Sequence, residues 1–229
     1  MKICCIGFDL PEGKVKYQDE RVDTLIRKLS PQKITPFYVE FTHNDYSHSD
    51  AFLVARERVW DILILDMEKL ESRQERTGDV AEIKLLEKCL ASLEQEVPLC
   101  DVPFADSELA LLKPLTPLSL KPTLVASEVP ALNDVIALLL KKSGYVFFYT
   151  ADKKEVHAWP VRQNADILTC AGKIHSDLAR GFIKADIVNY DDFMQVYNMA
   201  EARAKGLVKL VNRDYLIHEG DIIEIRFNV

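Results

Sequence analysis

Apolar and polar positions change rhythm several times along this chain, and each rhythm predicts an element. Ile3-Cys4-Cys5-Ile6 is an unbroken apolar run, and residues 1–9 read as a buried first strand. RVDTLIRKL, Arg21 to Leu29, predicts a short amphipathic helix ended by Ser30-Pro31. ITPFYVEF alternates and is rich in aromatic and β-branched residues, which predicts a strand. The polar THNDYSHSD is a loop, with Ser49 or Asp50 as the cap of a following helix. From Ala51 to about Val97 the period becomes helical. Val59, Leu63, Met67 and Leu70 step along one face, and Val80, Ile83, Leu86, Leu90, Leu93 and Val97 along a second. In the intervening ESRQERTGDVAE, Gly78 is placed to end one helix in the left-handed conformation and Asp79 to cap the next. Two antiparallel helices follow, and periodicity alone leaves open whether they project or pack on a core.

Pro98 closes that pair. DSELALLKPL predicts a short helix, KPTLVAS a buried strand, and PALNDVIALLLKK a helix stopped at Ser143-Gly144. GYVFFYT and KEVHAWPV are β-rich. Further strands are expected in KADIVNY, RDYLIHEG and DIIEIRFNV, with helices over DILTCAGKIHSDL and from Asp192 to Lys205. A small sheet with a helix on one face makes this last part an α+β module. The main boundary is placed near Tyr149 to Asp152.

Composition narrows the chemistry. With 229 residues, 48% hydrophobic and 28% charged, the chain can bury a real core. A net charge of −7 argues against a broad phosphate-binding surface. Five cysteines with no C-x-x-C and no zinc-like Cys/His spacing read as free thiols in a reducing compartment. No stretch approaches the ~18 apolar residues of a membrane span, and no cleavage site follows the first strand. A cytoplasmic protein is expected, with no membrane partner and an oligomeric state left open.

Candidate chemistry begins at the first turn. Gly7, Gly13 and Lys14 follow a strand as a phosphate-binding loop would place them. Five residues rather than four separate the glycines, however, and Val15 stands where a Mg²⁺-binding hydroxyl belongs. Gly13-Lys14 therefore reads as a turn after a core strand, with Gly7, Gly13 and Lys14 a vestigial nucleotide site. His43, Asp45 and His48 are metal-like residues in a solvated loop without a fourth ligand, so no metal is assigned. His175 reads as structural. Lys173, Arg180, Lys184, Arg203, Lys205 and Arg213, with Lys209 and Arg226, give the C-terminal module cations for RNA or a partner protein. Residues 151–229 hold 11 Lys/Arg against 12 Asp/Glu, so RNA contact is expected to be weak and confined to one face.

EVHAWPV, AGKIHSDLARGFIKADIVNYDDF and NRDYLIHEGDIIEIRFNV closely resemble the TGS domain of YchF-type GTPases of the Obg family. Upstream, ERTGDVAEIKLLEKCLASLEQ resembles the turn and second helix of that family's helical hairpin. LALLKPLTPLSLKPTLVASEVP resembles its approach to the base-recognition motif, and DERVDTLIRKLSPQKITPFYVEF its second-strand segment. The departures are specific. The helix and switch segment expected after Lys14 are missing, and no D-x-x-G occurs. At the base-recognition position only Glu128 fits, with Ser127 and Pro130 against the pattern.

The resemblance implies an α+β chain with three parts: a truncated α/β G-domain remnant (1–50 and 98–148), an inserted antiparallel helical hairpin (51–97), and a β-grasp TGS domain (149–229). Phosphoryl transfer needs P-loop, metal and switch elements together. The expectation is thus no enzyme, with no catalytic residue and no cofactor, acting as an adaptor for a protein or ribonucleoprotein partner. The alternative is a regulatory nucleotide-binding protein with an altered pocket.

Overall fold

The structure is a computed structural model that describes residues 1–129 and 131–228. Pro130, one of the residues departing from the base-recognition pattern, lies outside the described residues. In chain order the elements are β1 (Lys2–Ile6), β2 (Gly13–Lys16), α1 (Glu20–Leu29), β3 (Lys33–Thr35), β4 (Tyr38–His43), β5 (Ala51–Ala55), α2 (Trp60–Gln74), α3 (Val80–Glu94) and α4 (Asp106–Leu112). There follow β6 (Thr123–Ala126), α5 (Leu132–Lys142), β7 (Tyr145–Ala151), β8 (Glu155–Arg162), α6 (Ile167–Ile174) and α7 (Ser176–Arg180). The last are β9 (Phe182–Asn189), α8 (Tyr190–Met194), α9 (Met199–Ala204), β10 (Lys209–Val211) and β11 (Asp221–Phe227). They form two compact units, Met1–Val15 with Val39–Ser143, and Lys16–Tyr38 with Gly144–Val229.

The first unit is built on a sheet of order β2-β4-β1-β5-β6, with β1 parallel to both β4 and β5, and β5 parallel to β6. Every residue of β5 (AFLVA) is buried. An apolar run without alternation is the signature of a strand covered on both faces, and this is why Ala51 starts a strand and not the expected helix. Ser49 and Asp50 accordingly cap nothing helical; the Asp50 carboxylate accepts the Lys2 N–H at 2.7 Å instead. Helix begins at Trp60, and the stripes on α2 and α3 enter one cluster with Cys4, Ile6, Phe52 and Val54 through Leu63, Leu70, Leu86 and Leu93. The pair is thus packed on a core.

Asp79 caps α3 as expected, accepting the N–H groups of Ala81 and Glu82 at 2.8 and 3.2 Å. Gly78 does not have the left-handed backbone expected of it. The connection is closed instead by Glu82, which accepts from Arg73 Nε and Nη2 at 2.8 and 2.9 Å and from the Thr77 hydroxyl at 2.5 Å.

The second unit carries a six-stranded sheet of order β10-β9-β11-β7-β8-β3. β7 and β8 form an antiparallel hairpin in continuous register from Tyr145↔Arg162 to Ala151↔Val156, so a boundary at residue 149 would cut through β7. α6 and α7 pack on Phe148, Val161, Ala185, Ile187 and Ile223. Residues 16–38, expected to belong to the N-terminal part, supply α1 and β3 to this unit, and β3 runs parallel to β8 as an edge strand. ITPFYVEF is therefore two strands, broken at Pro36-Phe37 and shared between the two sheets. A proline lacks the N–H that would continue the ladder.

Three further expectations change in detail. RDYLIHEG makes one bridge, Asp166↔Leu216, and is otherwise irregular. Its local bonds win over a ladder: the Asp221 carboxylate accepts the His218 N–H at 3.0 Å and the Tyr215 hydroxyl at 2.9 Å. The helix over DILTCAGKIHSDL breaks at an extended His175, which ends α6 and caps α7 by accepting the Asp177 N–H at 3.2 Å. The stretch from Asp192 to Lys205 is two short helices, α8 and α9, with Asn198 capping the second.

Candidate functional site

The turn after β1 is filled with side chains. Phe8 and Leu10 are buried, and His43 stands beneath with Nε2 2.7 Å from the Leu10 carbonyl oxygen and Nδ1 3.2 Å from that of Cys5. The His43 N–H is donated to Glu12 at 3.0 Å. Gly7 has φ +83°, and a Cβ there would lie 2.6 Å from the Ala55 Cβ, so a close approach of two chain segments fixes this glycine. Gly13 and Lys14 do not form a turn; they open strand β2, with Lys14 exposed. The next helix starts only at Glu20, after the strand that holds Lys14 has ended, so the chain does not run from Lys14 directly into a helix N-terminus as a phosphate-binding loop would.

His43 and His48 do not converge. His48 Nδ1 pairs with Asp45 at 2.8 Å, which holds that carboxyl below its usual range, while His43 faces the turn. Among the described residues no group of three or more metal-type ligands is assembled.

In the second unit, most of the cationic candidates are spent on internal partners. Asp186 is buried, with its carboxylate taken by Arg203 at 2.7 Å and Arg226 at 2.9 Å; Arg203 also reaches Glu224 at 2.5 Å. Arg180 pairs with Asp177, Lys205 with Glu201, and Arg213 donates to the Phe182 carbonyl at 3.0 Å. Lys184 is exposed on β9 and Lys173 at the end of α6, and neither has an ion-pair partner among the described residues. Partial desolvation lowers the Lys173 pKa. Charge is divided unevenly: the first unit holds 13 Lys/Arg against 21 Asp/Glu, the second 16 against 15.

The second unit also contains a groove of about 740 Å³ that the sequence pattern does not announce. β7 and β11 are paired at Tyr149↔Ile222, and the residues that follow in each strand, Thr150–Ala151 and Ile223–Ile225, line the groove. Trp159 lines it too, its ring stacked with His157 (centroids 3.5 Å apart) and near-parallel to Phe148 (6.1 Å), and its N–H donated to the Thr150 hydroxyl at 3.0 Å. Burial beside that stack pushes the His157 pKa down. Tyr197, Phe227, Lys153 and Lys154 are exposed members of its lining. The only trace in the sequence is the Lys-Lys pair of ADKKE, since the rest is brought together from distant positions.

Comparison with known proteins bears on the whole chain. The family YchF-GTPase_C, described as "Protein of unknown function (DUF933)", matches residues 145–228. The Ribosome-binding ATPase YchF of Bacillus subtilis (strain 168) is 28% identical over 236 aligned positions, covering 74% of this chain and 64% of that protein. Obg-like ATPase 1 of Gallus gallus is 38% identical over 92 residues, 38% of this chain and 23% of that protein. The chain thus spans less than two thirds of the length of these relatives. Among solved structures, the Schizosaccharomyces pombe YchF GTPase superposes with a TM-score of 0.77 at 17% identity, over 96% of this chain and 88% of that one, a likeness of fold. The expectation of a protein that is no enzyme is overturned by these relatives, which are named ATPases and point to a hydrolase.

Proposed function

We propose that this chain, a relative of the YchF-type GTPases of the Obg family, is a nucleotide-binding protein of that kind that acts on a ribonucleoprotein partner. The second unit is the proposed recognition module, a TGS domain of β-grasp type completed by residues 16–38. The observation that carries the reading is the match of the YchF-type C-terminal family to residues 145–228, which coincide with β7 through β11. The names of the relatives add ribosome binding and hydrolysis of ATP, and a cytoplasmic setting is proposed to go with a ribosomal partner. Lys173 and Lys184 are the proposed contacts to the partner, being cations not consumed inside the unit. Two lysines give a modest, salt-sensitive attraction that shape complementarity must supplement.

Two measurements test this. The full chain is expected to co-sediment with ribosomes at low salt, and the K173E/K184E variant to do so less. It is also expected to release phosphate from ATP or GTP above a blank. Absence of co-sedimentation at any salt sinks the partner half, and a chain that neither binds ATP or GTP nor releases phosphate from them sinks the other.

A further inference from the structure

The nucleotide reading needs a place for the nucleotide, and the turn after β1 is occupied by Phe8, Leu10 and His43. We infer that the groove of the second unit is a mononucleotide site, with the base against Tyr197 and Phe227 and the phosphates toward Lys153 and Lys154. This rests on the nucleotide reading and goes beyond it by assigning the residues.

Size is the first ground. About 740 Å³ falls within the roughly 300–1,000 Å³ of small-ligand pockets, and the walls are mainly apolar. The second is the presence of two exposed aromatic residues in the lining. Tyr197 is 83% exposed and Phe227 48% exposed, so both rings leave faces in water. Exposed aromatic rings at an apolar groove suit stacking of a planar heterocycle, whatever its substituents. The Tyr197 backbone is held in place, its N–H donated to Glu201 at 2.6 Å, so the ring is presented from a braced turn.

The third ground is charge complementarity. Three carboxylates line the groove and each is engaged: Asp152 accepts the N–H groups of Lys154 and Glu155 at 2.6 and 2.8 Å, Glu155 pairs with Lys33 at 2.9 Å, and Glu224 with Arg203. The two lysines that line it have no ion-pair partner among the described residues. Their turn is pinned as well, since the carbonyls of Lys153 and Lys154 accept the N–H groups of Gln32 and Lys33 at 3.1 and 2.9 Å. Two consecutive lysines on a fixed turn favour an anion, and the apolar groove they line favours an anion with a flat apolar part.

The test is calorimetric titration of ATP and of GTP into the full chain and three variants: Tyr197→Ala, the double Lys153→Ala/Lys154→Ala, and Lys14→Ala. All of these side chains are exposed, and circular dichroism verifies the fold. The expected result is binding that weakens about tenfold with Tyr197→Ala, weakens further with the double variant, and is unchanged by Lys14→Ala. Binding that depends on Lys14 and not on the groove overturns this assignment and leaves the nucleotide reading standing. No binding of either nucleotide to the unmodified chain overturns both. A third arm uses single-stranded oligouridylate. If it binds through Tyr197 and the lysines while ATP and GTP do not bind, the groove is an RNA site and the mononucleotide assignment fails.

Discussion

Gly7 shows how one residue can be constrained for reasons unrelated to phosphate. Its backbone is left-handed and its missing Cβ makes room for Ala55 and Arg58. Gly7→Ala is expected to cost about 1–3 kcal/mol, read as a lower urea midpoint at unchanged slope. Asp186 is the other decisive side chain. It is fully covered while Arg203 and Arg226, 36% and 50% exposed, reach in from solvent. Asp186→Asn is expected to destabilise by roughly 1–3 kcal/mol, because an amide turns donor hydrogens toward two guanidiniums that can still recover water. The cationic residues were legible in the sequence as candidates, but their availability was not. The Asp186–Arg226 contact joins positions 40 apart, and only the antiparallel register of β9 and β11 brings them together. Tyr197 gave no signal at all, since exposure is a property of the fold and not of the residue type.

At the scale of elements, periodicity located α1, α2, α3 and α5 because each carries an apolar stripe that a core must cover. It misread AFLVA, where an unbroken apolar run is equally compatible with either state over so short a length. It also joined β3 to β4, because alternation continues across Pro36 while the chain changes sheet. The closure of α2 on α3 yields a pH prediction. Arg73, aided by Thr77, holds the Glu82 carboxyl below its usual range. A depressed folded value means that the stabilisation is present above the unfolded pKa of about 4.3 and is lost as pH falls through the folded one. Glu82→Gln is therefore expected to melt below the unmodified protein at pH 7. The gap should close on acidification below about pH 4, followed by thermal melts across that range. A gap that widens toward acid pH would contradict the assignment.

On the scale of the molecule, the second unit is discontinuous in sequence. α1 buries Val22, Leu25 and Leu29. Its start is tied down where the Tyr149 hydroxyl donates to Asp19 at 2.6 Å and Arg21 meets Glu219. A fragment of residues 144–229 lacks that helix and β3. It is expected to aggregate or to show weak near-ultraviolet circular dichroism, and to gain a cooperative melt when a peptide of residues 16–38 is added. A fragment that folds alone would show the helix to be dispensable. None of this partition was visible in the sequence, which runs smoothly from residue 1 to residue 50 while the chain leaves one unit at Val15 and returns to it at Val39.

Synthesis adds a delay to that interleaving. The stripe of Val22, Leu25 and Leu29 is translated long before Phe227, the last residue of the sheet it covers. At about 5–20 residues per second the intervening stretch takes roughly 10–40 s to make. Through the first part of that interval, until β7 and β8 are made, α1 lacks the strands it meets in the finished unit, and its apolar face is open to the chaperones that receive emerging polypeptides.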